Sequence, residues 1–170
     1  MEAIEPALAQ VTRRSDVDLD SAFAAARPRL VRIASSLVGG DAAEDVVHDT
    51  YLMARARLGQ LRDPGAIEAW LARICVHRSF RVRRRGRRLQ ELLGVLPFPR
   101  VTPSPHGRLE LHELVENLPP RERAVVVLQH GYGYSLDEVA RLVGVSHANA
   151  RKIASRTRAR LLREWLEAEA

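Results

Sequence analysis

Four prolines lie within nine residues and divide this sequence into two stretches, each of which must form its own helices. Pro97, Pro99, Pro103 and Pro105 remove backbone donors and exclude a regular helix between them. On both sides apolar residues recur at helical spacing, without β-alternation of useful length. The pattern predicts an all-α fold of two small helical bundles joined by a proline-containing linker. The predicted ranges are a flexible tail over 1–18, a first bundle over 19–88, a linker over 89–108 and a second bundle over 109–170.

Composition and charge narrow the partners of such a chain. Aromatic residues make up only 5% of the 170 residues, so Leu, Val, Ile and Ala must fill the cores, which suits helices. The net charge of +6 favours a nucleic acid, an anionic membrane surface or an acidic protein. Cys75 is the single cysteine, which excludes a disulfide within the chain and a cysteine cluster for zinc. No signal core or stretch of about 20 apolar residues is present, so we expect a cytoplasmic protein without membrane insertion.

The first bundle should contain three helices with recognisable ends. Gly39 and Gly40 should end the first helix, whose apolar residues begin at Phe23. Asp41 has the character of an N-cap for the second helix, with Glu44 in capping-box position. A third helix should start at Asp63-Pro64 and continue to about Arg88.

The second bundle contains the pattern of a helix-turn-helix. Ser135 and Glu138 form a predicted capping box, Gly144 suits the turn, and Ser146 caps the last helix. Its inward residues should be Ala150, Ile153, Ala154, Thr157 and Leu161. Its outer face should present His147, Arg151, Lys152, Ser155 and Arg158, with Asn149 and Arg156 at the margins. Such a face suits base edges in a major groove.

A plain αα-hairpin with a solvated basic face is the alternative for this segment. Between His147 and Arg163 there are six Lys and Arg residues and no carboxylate. A solvated helix normally mixes charges of both signs, so the composition favours DNA binding.

An arginine run continues the third helix of the first bundle. Residues 73–88 contain eight arginines and no acidic residue, and Trp70, His77 and Phe80 lie in or beside the run. Arginine and aromatic planes together suit unstacked bases and single-stranded backbone. The simpler interpretations are a core position for Trp70 and a phosphate-only clamp for Arg83 to Arg88.

The helix before it has the opposite character. Glu44, Asp45, His48 and Asp49 lie away from its apolar stripe. Carboxylates with a histidine could form a metal or acid–base site, but no second cluster completes a ligand set. A docking surface for another protein fits better.

These segments together resemble a known family. Residues 43–52, AEDVVHDTYL, resemble the polymerase-binding helix of region 2 in extracytoplasmic-function (ECF) sigma factors of the sigma-70 family. Residues 70–74, WLARI, with the arginine run, resemble that region's promoter −10 helix. Residues 118–123, LPPRER, followed by 135–161, resemble region 4, which contacts the −35 element.

The resemblance implies a sigma factor, not an enzyme, that binds core RNA polymerase, recognises −10 and −35 elements and promotes transcription initiation. The β′ clamp helices would be contacted by Glu44, Asp45, His48, Asp49 and Leu52. The opened −10 strand, with a base flipped out, would be held by the loop 60–66 and α-helical residues, in particular Arg62, Asp63, Trp70, Arg73, His77, Arg81 and Arg84. The −35 duplex would be contacted by Ser146, His147, Asn149, Arg151, Lys152, Ser155, Arg156 and Arg158.

The same resemblance implies further partners. The β flap of the polymerase and promoter DNA are expected, an anti-sigma factor is possible, and no cofactor or metal is implied. The linker over 90–108 would run toward the polymerase active-site cleft.

The chain departs from the family pattern at its contact positions. His48 stands where Gln is usual, and His77 and Arg81 stand where Asn and Asp are usual. In the last helix Asn149 replaces Thr, and Lys152-Ile153 replaces Ser-Arg. Neither the −10 nor the −35 sequence preference can therefore be carried over from relatives.

Two other functional classes compete with this interpretation. A free-standing helix-turn-helix regulator would explain 118–160 but would leave the acidic helix and the arginine run unused. An enzyme acting on nucleic acid would need a catalytic set, and the sequence offers six scattered histidines and one cysteine.

Overall fold

The computed structural model describes residues 18–92 and 111–169, and within these ranges the chain folds into helices and turns without a strand. The all-α prediction is confirmed. The predicted tail (apart from Asp18), residues 93–110 and Ala170 lie outside the described residues, so most of the predicted linker is not described. In chain order the helices are α1 Leu19–Val38, α2 Gly40–Arg57, α3 Ile67–Leu92, α4 Leu111–Glu116, α5 Pro120–Val126, α6 Leu136–Val143 and α7 His147–Glu169.

Helices α1 to α3 form the first bundle. Asp18 caps α1, because its Oδ1 accepts hydrogen bonds from the backbone N–H groups of Asp20 at 3.1 Å and Ser21 at 3.2 Å. Ile33 on α1, Val46 on α2 and other aliphatic side chains are fully buried between the helices. The bundle therefore has the aliphatic core that the low aromatic content predicts.

Three helix ends in this bundle differ from the sequence prediction. Gly39 adopts a φ of 91°, which lets α2 begin at Gly40, so Asp41 lies inside the helix and is not its N-cap. Asp63 instead caps a 3₁₀ turn over Pro64–Ala66, accepting from Gly65 N–H at 2.9 Å, before α3 begins. Helix α3 then continues to Leu92, four residues past its predicted end. Arginine is a good helix former, and the single glycine of the run, Gly86, does not end the helix.

Helices α4 to α7 form the second bundle. Helix α5 is followed directly by a π turn over Val127–Gly131, in which Tyr132 N–H donates to Val127 C=O at 3.2 Å. A small cluster of Leu114, Leu118 and Leu161 holds α4 against α7. The π turn directs Tyr132 and Tyr134 toward the first bundle.

The two bundles share one hydrophobic core. Val125, Leu128 and Val139 of the second bundle are fully buried in the same cluster as Leu30 and Leu71 of the first. Helices α5 and α6 thus pack against α1 and α3. The sequence predicted two bundles but not this contact, because each amphipathic pattern specifies an apolar face without naming its partner.

Candidate nucleic-acid interfaces

The helix-turn-helix of the second bundle forms as the sequence predicts. Ser135 Oγ accepts from Glu138 N–H at 3.4 Å, and Glu138 Oε2 accepts from Ser135 N–H at 2.8 Å. These hydrogen bonds lower the pKa of Glu138. Gly144 takes a φ of 74° in the turn, where a residue with a side chain would be strained. Ser146 then caps α7, its Oγ accepting from Asn149 N–H at 3.2 Å.

The inner face of helix α7 is buried or half-buried. Ala150, Thr157 and Leu161 are buried, and Ile153 and Ala154 are half-buried, as predicted. Glu122 on α5 contacts two residues of the helix. Thr157 Oγ1 donates to Glu122 Oε2 at 3.4 Å, and Arg160 Nη1 lies 3.2 Å from the same oxygen.

The outer face of α7 is exposed and basic. All eight residues predicted to contact the −35 duplex are exposed and lie on its first three turns and cap. Arg151, Lys152 and Arg156 line a shallow groove with His147. His147 Nδ1 lies 2.8 Å from Asp137 Oδ1, a partner on α6 that the sequence reasoning missed. This face is shaped to lie along a polyanion.

Helix α3 carries the second basic surface. Trp70, Arg73, His77, Arg81 and Arg84 are spaced so that they form one stripe along the helix. The four basic residues are exposed, while Trp70 is half-buried against the shared core, which corresponds in part to the core interpretation of that residue. Of the two loop residues predicted with them, Arg62 is exposed and Asp63 serves as the cap described above.

The stripe is partly covered by the second bundle. The imidazole of His77 lies against Gly144, where an added Cβ would come within 3.0 Å of its Cε1. Burial, followed by the charges of Arg73, Arg121 and Arg81, lowers the pKa of His77. Arg121 belongs to α5, so part of this effect arises from the contact between bundles.

Two arginines of the run have structural partners. Arg78 pairs with Asp49 on α2, and Arg83 Nη1 donates to Leu37 C=O at 2.9 Å at the end of α1. Arg83 Nη2 also lies 3.5 Å from Glu116 C=O in the second bundle. No pattern in the sequence indicates these roles, because composition alone does not distinguish one arginine of the run from another.

Two of the acidic residues predicted to form a docking surface on α2 pair with arginines of the same bundle. Glu44 forms an ion pair with Arg27 on α1 at 2.7 Å, and Asp49 is half-buried in its pair with Arg78. Asp45, His48 and Leu52 remain exposed, and the side chain of Leu52 is an unusual apolar group on this surface at 48% exposure. Over residues 18–92 and 111–169 no cluster of carboxylate, histidine or cysteine side chains suits a metal ion.

Cys75 has no surface role in this fold. Its side chain is buried, and burial raises its thiol pKa to about 12. In the described part of the chain, no helix is long and apolar enough to cross a membrane.

The second bundle contains a helix-turn-helix whose second helix is buried on its inner face and exposed and cationic on its outer face. This arrangement defines the chain as a helix-turn-helix DNA-binding protein. Family models make the class specific. The model "Sigma-70 region 2" matches residues 22–89, which include α1 to α3, and the model "Sigma-70, region 4" matches residues 108–161.

Relatives agree with the family models. The chain is 31% identical over 137 residues to the ECF RNA polymerase sigma factor SigM of Mycobacterium tuberculosis, covering 79% of this chain and 69% of SigM. It is 34% identical over 149 residues to the ECF RNA polymerase sigma factor SigE of Mycolicibacterium smegmatis, covering 81% of this chain and 57% of SigE. The chain belongs to the sigma-70 family, as an ECF sigma factor acting in transcription initiation.

Solved structures show the same arrangement of helices. The sigma factor RpoE, in complex with the anti-sigma factor NepR from Bartonella quintana, matches with a TM-score of 0.67 at 27% identity, covering 90% of this chain and 99% of RpoE. CnrH, in complex with the cytosolic domain of CnrY, matches with a TM-score of 0.65 at 26% identity, covering 95% of this chain and 96% of CnrH.

Proposed function

We propose that this sigma factor uses three surfaces, one on each of α2, α3 and α7. The exposed part of α2 binds the clamp helices of the polymerase β′ subunit. The stripe on α3, with the loop before it, holds the opened −10 strand, and the outer face of α7 contacts the −35 duplex. The supporting observation is the outer face of α7, where the basic side chains are exposed while the residues of the inner side are buried or half-buried.

The polymerase contact depends chiefly on three side chains. Asp45, His48 and Leu52 are exposed on one side of α2, whereas Glu44 and Asp49 are engaged by arginines of the same bundle. We assign Glu44 and Asp49 a secondary role, because binding another partner would first break an ion pair. The exposed leucine supplies apolar area at the centre of an otherwise polar surface.

The −10 contact requires the second bundle to move. Helix α6 covers part of the stripe, since His77 lies against Gly144. We propose that polymerase binding separates the bundles, which would free His77 and the half-buried Trp70 for the opened strand. Unstacking a base costs a few kcal/mol, which stacking and phosphate contacts must offset.

Additional partners follow from the family. We propose that the second bundle contacts the β flap, that the linker over 90–108 runs toward the polymerase active-site cleft, and that an anti-sigma factor binds this chain, as NepR and CnrY bind their partners in the matching structures. The chemistry of RNA synthesis belongs to the polymerase, and this chain needs no cofactor for the roles assigned here.

Run-off transcription tests the proposal. Core RNA polymerase is mixed with the purified chain and genomic fragments, and transcript 5′ ends are mapped. We expect start sites that share −10 and −35 elements and that require the chain. Tight binding of the chain alone to a palindromic duplex at physiological salt, with no gain from core polymerase, would instead identify a free-standing regulator.

A further inference from the structure

One ion pair joins the helix of the proposed polymerase surface to the helix of the proposed −10 surface. Arg78 Nη2 on α3 donates a hydrogen bond to Asp49 Oδ2 on α2, and the two side chains are 25% and 39% exposed. Asp49 follows Asp45 by four residues and precedes Leu52 by three, so it borders the exposed face of α2. One partner of the pair therefore lies at the edge of the proposed polymerase surface.

The other partner lies at the edge of the proposed −10 surface. Arg78 follows His77 directly and precedes Arg81 by three residues, and both of these neighbours are exposed members of the stripe on α3. Among the residues that the structure describes, no acceptor meets the buried Nε of Arg78, so Asp49 satisfies only part of the guanidinium. A phosphate can accept two parallel hydrogen bonds from an arginine. The pair thus holds back a side chain that suits a phosphate of the opened strand.

We propose that Arg78 is a further strand-binding residue, which Asp49 holds in the free protein and releases when α2 docks on polymerase. The proposal rests on the assignment of α2 to the polymerase and of α3 to the −10 strand. An acidic surface favours a basic partner, so cations of the polymerase compete with Arg78 for the carboxylate of Asp49. A partly exposed ion pair contributes little to stability, so this exchange costs little. Docking on α2 then frees an arginine for DNA on α3.

The exchange makes a distinctive prediction for polymerase binding in the absence of DNA. If docking must break the pair, removing Arg78 should strengthen binding to core polymerase, because Asp49 is then available in advance. A purely structural pair predicts weaker or unchanged binding, since its loss would hold α2 less firmly. A general charge effect predicts that removing any nearby arginine strengthens binding to a basic partner by the same amount.

The first measurement is the affinity of the purified chain for core polymerase without DNA. The variants are Asp49→Asn, the double variant and Arg78→Met, which removes the charge and keeps the length of the side chain. Arg85→Met is the matched control, because Arg85 is an exposed arginine two turns farther along the same face of α3. Circular dichroism and thermal unfolding show whether each variant is folded.

The expected affinities follow from the ion pair. Arg78→Met should bind core polymerase about two- to fivefold more tightly, the gain when a surface ion pair no longer has to be broken. In the Asp49→Asn background the same change should give no gain, since there is no carboxylate to release. Arg85→Met should bind as wild type does.

The second measurement is the binding of holoenzyme to a fluorescent single strand that carries the −10 element mapped by run-off transcription, over a range of salt concentrations. Arg78→Met should weaken this binding and make the slope of log affinity against log salt shallower by about 0.7, the loss of one phosphate contact on a single strand. Asp49→Asn holoenzyme should keep the wild-type slope, because Arg78 is already released in wild-type holoenzyme.

Three results would overturn the exchange. They are core binding by Arg78→Met that is no tighter than wild type, an unchanged salt slope for Arg78→Met holoenzyme, and an equal gain in core binding for Arg85→Met. Asp45→Arg, measured alongside, separates this proposal from the assignment on which it rests. If Asp45→Arg abolishes core binding while Arg78→Met gains nothing, the exchange alone is wrong. If Asp45→Arg binds core polymerase normally, α2 is not the polymerase-binding surface, and the exchange fails with that assignment.

Discussion

The hydroxyl of Tyr132 lies 3.0 Å from Ser36 Oγ, although 96 residues separate the two side chains in sequence. Ser36 Oγ also donates its hydrogen to Arg32 C=O at 3.0 Å within α1. With that hydrogen committed, Tyr132 is the donor and Ser36 the acceptor. The π turn before Tyr132 thus provides a polar contact between the two bundles, close to the place where Arg29 lies 4.6 Å from the ring centre of Tyr134.

Tyr132→Phe should weaken this contact while leaving each bundle folded. Loss of one partly buried hydrogen bond should cost about 0.5–1.5 kcal/mol of unfolding free energy. Hydrogen exchange in α6 should accelerate, because α6 packs against α3 of the first bundle. Tyr51→Phe is the control: it removes a hydroxyl that donates to Asp20 at 2.7 Å within the first bundle, and α6 exchange should not change. Unchanged α6 exchange in Tyr132→Phe would contradict a contact between bundles.

The sequence was sufficient for features that depend on neighbours in the chain. The capping box of Ser135 and Glu138, the turn at Gly144 and the outward positions of α7 all follow from local spacing. It was insufficient where distant segments meet. The partners of Arg78 and Tyr132, and the contact of His77 with Gly144, depend on how distant helices pack, which periodicity does not specify.

Leu128→Ala tests whether the two bundles unfold together. Leu128 is fully buried in the core that both bundles share, and truncating it leaves a cavity. We expect a loss of about 2–5 kcal/mol in one cooperative urea transition that reports on both bundles. Leu162→Ala is the matched control, since this leucine is 60% exposed and should change stability by less than about 0.5 kcal/mol. Separate transitions for the two bundles in wild type would contradict the shared core.

His77 should make the stability of the closed arrangement depend on pH. Burial, with Arg73, Arg121 and Arg81 nearby, holds its pKa below the ordinary value of about 6.5. The unfolded chain therefore binds the proton more tightly than the folded chain. The contribution is intact above about pH 6.5, and the free energy of unfolding falls as pH falls below it.

Chemical unfolding between pH 7.5 and 5.5 checks this dependence. The free energy of unfolding of His77→Gln should decline less steeply with falling pH than that of wild type, because the titrating group is gone. His112→Gln, which replaces an exposed histidine on α4, is the matched control. Parallel profiles for wild type and His77→Gln would contradict the role of His77.

Arg151→Ala should reduce transcription from promoters that have a −35 element far more than from promoters that lack one. Arg151 is exposed on the second turn of α7, beside Lys152 in the basic groove. Loss of one base-edge contact should cost about 1–3 kcal/mol of discrimination. Run-off transcription on matched templates measures this ratio. Arg163→Ala removes the same charge farther along α7 and should reduce transcription from both templates equally or not at all. An equal loss of transcription from both templates with Arg151→Ala would contradict the placement of α7.

Asp45→Arg should abolish binding to core polymerase without disturbing the fold. Asp45 is exposed on α2 beside His48 and Leu52, so a reversed charge is solvated in the free protein but repelled at a basic partner surface. Asp45→Asn, which loses the charge without reversing it, should bind with intermediate affinity. Co-purification with core polymerase gives the readout, and circular dichroism shows whether the helices persist. A folded Asp45→Arg chain that still co-purifies at the wild-type level would remove α2 as the polymerase-binding surface.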